Sequence, residues 1–288
     1  MLHKYPFPND NAMQYLLKLA HINVRQGDVP EHKHKYAELH IALEGSALNI
    51  INGAAHRVIP GDVFVCLPET IHEQREINNY KFCILKFDYE ALLAEIGELR
   101  NMPAFQLLFI LEPRIRNDAN AEPTMTLAPE FLPYVKTSVE ILEQEIKEQK
   151  PTYEAVSKHM FLSLIALVCR NAKRRTKSSA SKKNWCIASA LSYMESNYEN
   201  DINIDILAET VHYSKRHFSR LFKESCGVSP MVYLDSIRLN KAYNLLSTTN
   251  LTVSQIAKQC GFDDSNLLCR HFKQGYGITP NECRKLKG

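Results

Sequence analysis

The chain has 288 residues, of which 45% are hydrophobic and 23% charged, and its formal net charge is +3. This balance is typical of a globular protein with two domains, and it excludes collagen-like, disordered and disulfide-scaffold chains. The apolar runs are too short to cross a bilayer and the first residues do not resemble a signal peptide, so we expect a cytoplasmic protein without a membrane partner. Eight scattered cysteines without a Cys-x-x-Cys pair indicate reduced thiols and argue against a zinc finger.

The charge is distributed unevenly along the chain. Residues 1–169 contain 16 Lys and Arg against 22 Asp and Glu, whereas residues 170–288 contain 19 against 10. An acidic first part and a basic second part predict that the second part binds a polyanion.

Short runs of alternating apolar and polar residues between about His21 and Phe87 predict β-strands. The runs are 39–43, 47–51, 63–67 and 80–87, and turn residues at 44–46, 52–53 and 60–62 separate them. Short strands at this spacing predict an antiparallel barrel or sandwich.

The same region carries closely spaced histidines. His32, His34 and Glu38 lie between Gly27 and Gly45, and His72 follows further along the chain. The first five resemble the first cupin motif, and His72 is a candidate fourth group from the second. The resemblance implies a cupin-like antiparallel β-barrel over residues 1–128, where three imidazoles and a carboxylate could bind a divalent metal.

The second cupin motif departs from the usual pattern. No glycine lies between Pro68 and His72, and Glu76 stands where cupins often have asparagine. Three roles therefore stay open for His32, His34, Glu38 and His72: metal ligands, direct contacts to a small molecule, or ordinary surface and core side chains. We expect no cofactor other than such a metal.

From about Pro129 the apolar period becomes helical. Residues Leu132, Val135, Val139, Leu142 and Ile146 follow a 3/4 spacing, and a second helical pattern follows Pro151. The short junction predicts an antiparallel hairpin over residues 129–170. Its apolar stripe is either core or a dimer interface, and we assign dimerisation to this hairpin.

Residues 171–183 are polar, rich in serine and cationic, and they lack apolar periodicity. This composition predicts a solvated linker whose basic residues can also touch phosphate. The remaining segment, 184–288, is then a separate domain.

That segment contains an internal repeat. The sequence from Arg220 to Pro230 recurs from Arg270 to Pro280, with five identical positions at an offset of 50 residues. Each copy predicts a helix, a tight turn and a second helix: 204–210 then 214–224, and 252–259 then 264–274. Ser214 and either Asp263 or Asp264 suit the N-caps of the second helices.

The second helix of each copy has a column of long hydrogen-bond donors on its outer face. The first column is Arg216, Arg220 and Lys223, and the second is Asn266, Arg270 and Lys273. Arginine can bond guanine and asparagine can bond adenine in a bidentate manner, so these columns suit the major groove of double-stranded DNA.

One amphipathic helix, 230–246, separates the two copies. At 1.5 Å per residue it spans roughly 25 Å. A helix of this length could hold two recognition helices about one DNA turn, roughly 34 Å, apart.

Much of this second part resembles the DNA-binding domain of AraC/XylS transcription regulators. The resemblance is carried by residues 214–230, 238–242, Gly261-Phe262, 270–273 and 277–280. It implies two helix-turn-helix motifs in an all-α domain and base-facing side chains at Arg216, His217, Ser219, Arg220, Ser265, Asn266, Leu267 and Arg270. Cys283 departs from the family, which commonly has an aromatic residue there.

The family resemblance predicts a DNA-binding transcription regulator of the α+β multidomain class. Such regulators most often activate transcription by contacting RNA polymerase, form homodimers, and sense a small molecule, often a carbohydrate, in the first domain. The sequence lacks nucleotide-binding loops and the common hydrolase motifs, so we expect no enzyme. The alternative is a metal-dependent cupin enzyme tethered to a DNA-binding module, and a constitutive DNA-bound scaffold without a ligand is a third possibility.

Overall fold

The computed structural model describes residues 17–25, 27–115, 125–175 and 179–286. They fall into two compact units, and the chain passes from one to the other between Ala188 and Ser189. We call the part before this boundary the first unit and the part after it the second unit.

Among the described residues, the first unit is built around eight strands. They are β1 (Leu17–Arg25), β2 (Val29–His32), β3 (Ala37–Ile51), β4 (Ala54–Val58), β5 (Asp62–Cys66), β6 (His72–Phe87), β7 (Met125–Leu127) and β8 (Ala172–Arg174). They form one antiparallel sheet in the order β1-β6-β3-β5-β7-β8, with β2 also paired to β6 and β4 to β3. The predicted antiparallel β-structure is confirmed.

The predicted turn at 44–46 is wrong, because β3 runs through it. Gly45 has a φ of +69°, and the register between β3 and β6 shifts on both sides of it. A Cβ at Gly45 would lie 2.2 Å from the carbonyl oxygen of Asn79. The glycine therefore permits an irregularity inside one long strand. The turn at Asn52-Gly53 forms between β3 and β4 as predicted.

Helices cover part of this sheet. They are α1 (Tyr89–Glu95), α2 (Pro103–Phe105), a π-helical segment (Gln106–Leu111), α3 (Glu112–Ile115), α4 (Leu132–Glu148) and α5 (Tyr153–Asn171), with 3₁₀ turns at Gly97–Asn101 and Pro129–Phe131. Helices α4 and α5 pack together as the predicted hairpin, and both contact β1. Val135, Val139 and Leu142 of the predicted stripe are buried within this chain. Leu132 and Ile146 of the stripe are half-buried. The middle of the stripe is therefore core, and dimerisation through the hairpin stays a prediction.

The predicted linker at 171–183 is largely structured. Strand β8 pairs with β7, and α6 (Ser179–Asn197) begins four residues before the linker was expected to end. The Nη1 atom of Arg175 lies 3.1 Å from the buried carboxylate of Asp62. Pairing with a distant strand and a distant carboxylate cannot be seen in local composition, which explains the error. Residues 176–178 lie outside the described residues.

The second unit is helical. After α6, which contains the boundary between the units, it has α7 (Ile204–Thr210), α8 (Lys215–Cys226), α9 (Pro230–Thr248), α10 (Val253–Gln259), α11 (Ser265–Tyr276) and α12 (Pro280–Lys285). Each predicted helix is present within two residues of its expected ends. Within the described part of the chain, no helix has the length and apolar character needed to span a membrane.

Candidate functional site

Helices α8 and α11 are the second helices of the two sequence repeats, and in both the first and last turns are capped by nearby residues. The side chain of Ser214 caps α8 and that of Asp264 caps α11, where Asp264 accepts a 2.7 Å hydrogen bond from the backbone of Leu267. Gly227 and Gly277 end the helices in the left-handed conformation. Caps at equivalent positions give the two helices the same length and phase.

Each of these helices buries one face and exposes the other. On α8, Phe218, Leu221 and Phe222 are buried, and on α11 Leu268 and Phe272 are buried. The apolar spacing thus fixes which side chains point outward.

The outer face of α8 contains the residues predicted to meet DNA. Arg216, His217, Arg220 and Lys223 are exposed, and Ser219 is half-buried. Arg220 is not a free donor, because its Nη1 donates a 2.8 Å hydrogen bond to Glu224. Sequence reasoning missed this ion pair, although the i,i+4 spacing of arginine and glutamate could have indicated it.

The outer face of α11 agrees with prediction at most positions. Asn266, Arg270 and Lys273 are exposed, and Ser265 is half-buried. The family resemblance implied that the side chain of Leu267 faces a base. Instead it is half-buried and packs against the core around α9 to α12, so only part of its surface is available to a base.

Helix α9 packs against both repeats. It contacts α8, and it also contacts α10, α11 and α12. The hydroxyl of Tyr276 in α11 donates a 2.5 Å hydrogen bond to Asn240 in α9. Arg238 of α9 also donates 2.8 Å hydrogen bonds to the backbone oxygens of Tyr198 and Asn200. Helices α8 and α11 are therefore both packed against α9, and their predicted spacing of one DNA turn stays a prediction.

The first unit contains a cavity of about 200 Å³ beside the predicted histidines. Its lining combines polar and apolar side chains: His21, Val29, His32, Glu38, His40, His72, Gln74, Phe82, Ile84 and Lys86. They project from β1, β2, β3 and β6. Alternation along these strands places the residues at i and i+2 on the same face, which brings Glu38 and His40 together.

Glu38 is the centre of this group. Its buried Oε2 atom lies 2.9 Å from Nε2 of His40, 3.1 Å from Nε2 of His34 and 3.6 Å from Nε2 of His72. Its Oε1 atom lies 3.4 Å from Nζ of Lys86, the residue opposite it on β6. Three imidazoles thus converge on one carboxylate oxygen, and an ammonium group faces the other.

The burial of this carboxylate is offset by its partners. Burial raises the pKa of Glu38, but the contacts with His34, His40 and His72 outweigh it and hold the pKa well below its usual range. Burial also lowers the pKa of His40 despite its contact with Glu38. Glu38 is therefore ionised and His40 neutral at physiological pH.

The other two rings are fixed by the backbone. Nδ1 of His34 is 2.7 Å from the carbonyl oxygen of Tyr36, and Nδ1 of His72 is 3.1 Å from the carbonyl oxygen of Thr70. These contacts turn the Nε2 atom of each ring toward Glu38.

The structure brings together three of the four predicted residues. Atoms of His34, Glu38 and His72 lie within 4.8 Å of one another in an arrangement that could hold a metal ion. His32 is exposed, and its ring contacts that of His72 in a tilted arrangement with centroids 4.2 Å apart, so it lies at the edge of the group. Sequence reasoning missed His40, although its position two residues after Glu38 on a strand indicated the same face.

Comparisons with known proteins cover both units. Residues 19–165 match the model of an AraC-like ligand binding domain, and residues 207–286 match that of a helix-turn-helix domain. The HTH-type transcriptional activator RhaS of Escherichia coli O139:H28 is 26% identical over 282 residues, which cover 97% of this chain and 94% of that protein.

Two solved structures are each similar to about a third of the chain. One is a transcriptional regulator from Chromobacterium violaceum described as containing an AraC-type DNA-binding domain, with 34% identity over 36% of this chain and 92% of that chain and a TM-score of 0.34. The other is a probable AraC family transcriptional regulator from Rhodopseudomonas palustris, with 31% identity over 35% of this chain and 96% of that chain and a TM-score of 0.34.

Proposed function

The chain belongs to the AraC family of transcription regulators, and from that premise we propose that it activates transcription when a small polar molecule occupies the cavity of the first unit. The observation that carries the proposal is the pair of exposed donor columns on α8 and α11, which one helix, α9, holds together. Long donors on a capped helix suit the edges of bases in the major groove, and basic side chains beside them suit phosphates.

The cavity supports a polyhydroxylated effector such as a sugar. Its polar lining includes Gln74, Lys86 and the exposed His32, which can bond hydroxyl groups, and the ring of Phe82 provides an apolar wall. A volume of about 200 Å³ suits a small molecule. We propose that this unit senses and does not catalyse, so the chain is a regulator and not an enzyme.

A homodimer is part of the proposal, but through a different face of the hairpin than the sequence indicated. Tyr134 and Ile141 on α4 are each 48% exposed. They lie seven residues apart and therefore share one helix face, as the residues of a helix–helix seam do.

Analytical ultracentrifugation tests whether a second copy covers this face. Ile141→Lys should give monomers, whereas Glu143→Lys, at an exposed position outside the seam, should remain dimeric. The neighbouring Leu142 is left unchanged because it is buried, and its replacement would test folding and not assembly. Dimers of equal stability in both variants would contradict this interface.

The remaining partner is RNA polymerase, which an activator must contact at a promoter. Promoter DNA lies in the cytoplasm of a bacterium, so we place the protein there.

Selection of bound duplexes from a random pool tests the DNA-binding function. The full-length protein should enrich two short conserved blocks. Replacing Arg216 and Arg220 with alanine should erase one block, and replacing Asn266 and Arg270 should erase the other. Enrichment of no sequence at all, or loss of the same block in both variants, would contradict the proposal.

A thermal-shift screen tests sensing independently of DNA. A sugar that raises the melting temperature of the full-length protein should lose this effect in Gln74→Leu, while the exposed His159→Gln outside the cavity should retain it. An equal shift in both variants would place the sugar elsewhere.

A further inference from the structure

Cations are concentrated in the last segment of the first unit. Between Arg170 and Ala188 the sequence has seven lysines and arginines and neither aspartate nor glutamate. The fold holds much of this segment in place, because β8 pairs with β7 and α6 begins at Ser179. The charges on β8 and α6 are therefore fixed on a folded surface and not spread along a free tether.

The cations of this segment differ in whether a carboxylate already holds them. Arg175 is taken up by the buried carboxylate of Asp62, whose oxygen lies 3.1 Å from its Nη1 atom. Arg170, Lys173 and Lys182 are exposed and form no ion pair with any described residue. An exposed cation without a carboxylate partner is free to neutralise the charge of a polyanion.

Lysines elsewhere in the first unit often do have such a partner. Nζ of Lys33 lies 2.7 Å from Glu69, and Nζ of Lys81 lies 3.2 Å from Glu44. Exposed pairs of this kind contribute little to stability, but each carboxylate offsets the positive potential of its lysine. The segment 170–188 contains no carboxylate of its own that could do the same.

The exposed cations lie on elements that are close together. The guanidinium of Arg174 is 6.0 Å from the centre of the Trp185 ring, so the first turns of α6 lie beside β8. Lys182 is three residues before Trp185 and therefore shares its side of α6. Lys173 precedes Arg174 on β8, and Arg170 is two residues before β8 begins. We call Arg170, Lys173, Arg174 and Lys182 the basic patch.

Protection of a sheet edge does not account for the whole patch. Strand β8 is the last in the sheet order, and a cation on an edge strand discourages pairing with another sheet. This explains Lys173 alone. Arg170 and Lys182 belong to α5 and α6, where no strand edge needs protection. Three unpaired cations on three neighbouring elements favour one shared anionic partner.

We propose that the basic patch binds the phosphate backbone of DNA, so that the first unit adds sequence-independent affinity to the base contacts of α8 and α11. The inference rests on the DNA-binding function proposed above. Helix α6 carries part of the patch and continues past Ala188 into the second unit, so the patch is close along the chain to the unit that reads bases. Lysine and arginine on phosphates position a protein on DNA without selecting a sequence.

Binding of the full-length protein to two duplexes at several salt concentrations tests the proposal. One duplex carries the blocks enriched in the selection described above, and the other has the same bases in scrambled order. Arg170→Gln/Lys173→Gln/Lys182→Gln should weaken binding to both by the same factor, because the phosphates are common to both. The slope of log affinity against log salt concentration should become shallower by about 2 to 3 per protomer. Arg174 is left unchanged because its replacement would also remove the contact with Trp185.

A matched triple variant controls for net charge. Lys33→Gln/Lys81→Gln/Lys158→Gln removes the same charge from other parts of the first unit and should bind both duplexes as wild type does. An equal loss in the two triple variants would show that net charge acts and not the patch, which would contradict the proposal. Wild-type affinity and salt dependence in the patch variant would overturn it.

The remaining outcomes separate this inference from its premise. Unchanged DNA binding with reduced transcription in a reconstituted assay would assign the patch to a protein partner and overturn the proposal. If wild type enriches both blocks and the patch variant binds as tightly, the inference alone fails. A wild-type protein that enriches no sequence would refute the DNA-binding function itself.

Discussion

The exposed arginines on α8 and α11 differ in whether they form an ion pair. Arg216 and Arg270 make no ion pair with any described residue, whereas Arg220 is paired with Glu224. A guanidinium without a carboxylate partner can offer both of its donor pairs to a base, but a paired one must first break its existing contact. Arg216 and Arg270 are therefore available to bond a base directly, whereas Arg220 is held by Glu224.

Replacing Arg270, which has no carboxylate partner among the described residues, with alanine should cost about 1 to 3 kcal/mol of binding free energy at one base position of the operator. Lys273→Ala, one helical turn away, should weaken all sequences alike, because a lysine on a phosphate carries no base preference. Quantitative binding to the operator and its single-base variants distinguishes the two. If Arg270→Ala weakens specific and random duplexes equally, this residue does not read a base.

Removing the restraint on Arg220 should strengthen DNA binding. Glu224→Gln frees the guanidinium and removes a negative charge from the DNA-facing side, so we expect a several-fold lower dissociation constant with a steeper salt dependence. In the second copy of the repeat, the position equivalent to Glu224 is Gln274, which allows the reverse substitution. Gln274→Glu should weaken binding, and an unchanged affinity in both variants would show that these positions do not face DNA.

Thiol reactivity should follow burial. Burial raises the pKa of Cys83 to about 12 and that of Cys169 to about 12. The thiolate is the reactive form, so at pH 8 both should resist iodoacetamide in the folded protein and react after denaturation in urea. Their reactivity should increase as the pH rises toward the shifted value. Mass spectrometry of labelled peptides measures this, and labelling of Cys169 as fast in the folded as in the unfolded chain would contradict the packing of α5.

At the scale of elements, the turns of the second unit depend on glycines for different reasons. Gly261 has a φ of +76°, and a Cβ there would lie 2.4 Å from the carbonyl oxygen of Tyr198. Gly277 has a φ of +80° but open space around it. Gly277→Ala should thus cost about 1 to 2 kcal/mol of stability from backbone strain alone, and Gly261→Ala should cost more, because the backbone must also move.

Hydrogen exchange followed by mass spectrometry measures this difference locally. Peptides from α10 and α11 should lose more protection in Gly261→Ala than in Gly277→Ala. Similar losses in both variants would show that the contact with Tyr198 does not constrain the turn.

The elements also show what sequence can predict. The ends of α7 to α11 were predictable because caps and glycines act within four residues of each helix end. The continuity of β3 through Gly45 and the pairing of β8 could not be predicted from the sequence, because both depend on backbone contacts with strands distant in sequence. In the candidate site, the spacing of His34, Glu38 and His72 was visible. The role of His40 was missed because we followed a motif and not the alternation of the strand.

At the scale of the whole molecule, the two units divide the chemistry between them. The first unit concentrates its buried imidazoles around Glu38, and the second unit presents its donors on α8 and α11. Helix α9 contacts both repeats, and we propose that the second unit therefore reads two grooves as one body in place of two independent motifs. This rigid pairing is the central claim.

Hydroxyl-radical footprinting of the full-length protein on one operator tests that claim most directly. Each protomer should protect two patches on the same face of the duplex, about 10 base pairs apart. Replacing Asn266 and Arg270 with alanine should remove one patch and leave the other in place. A single patch per protomer, or the simultaneous loss of both patches in this variant, would contradict the account.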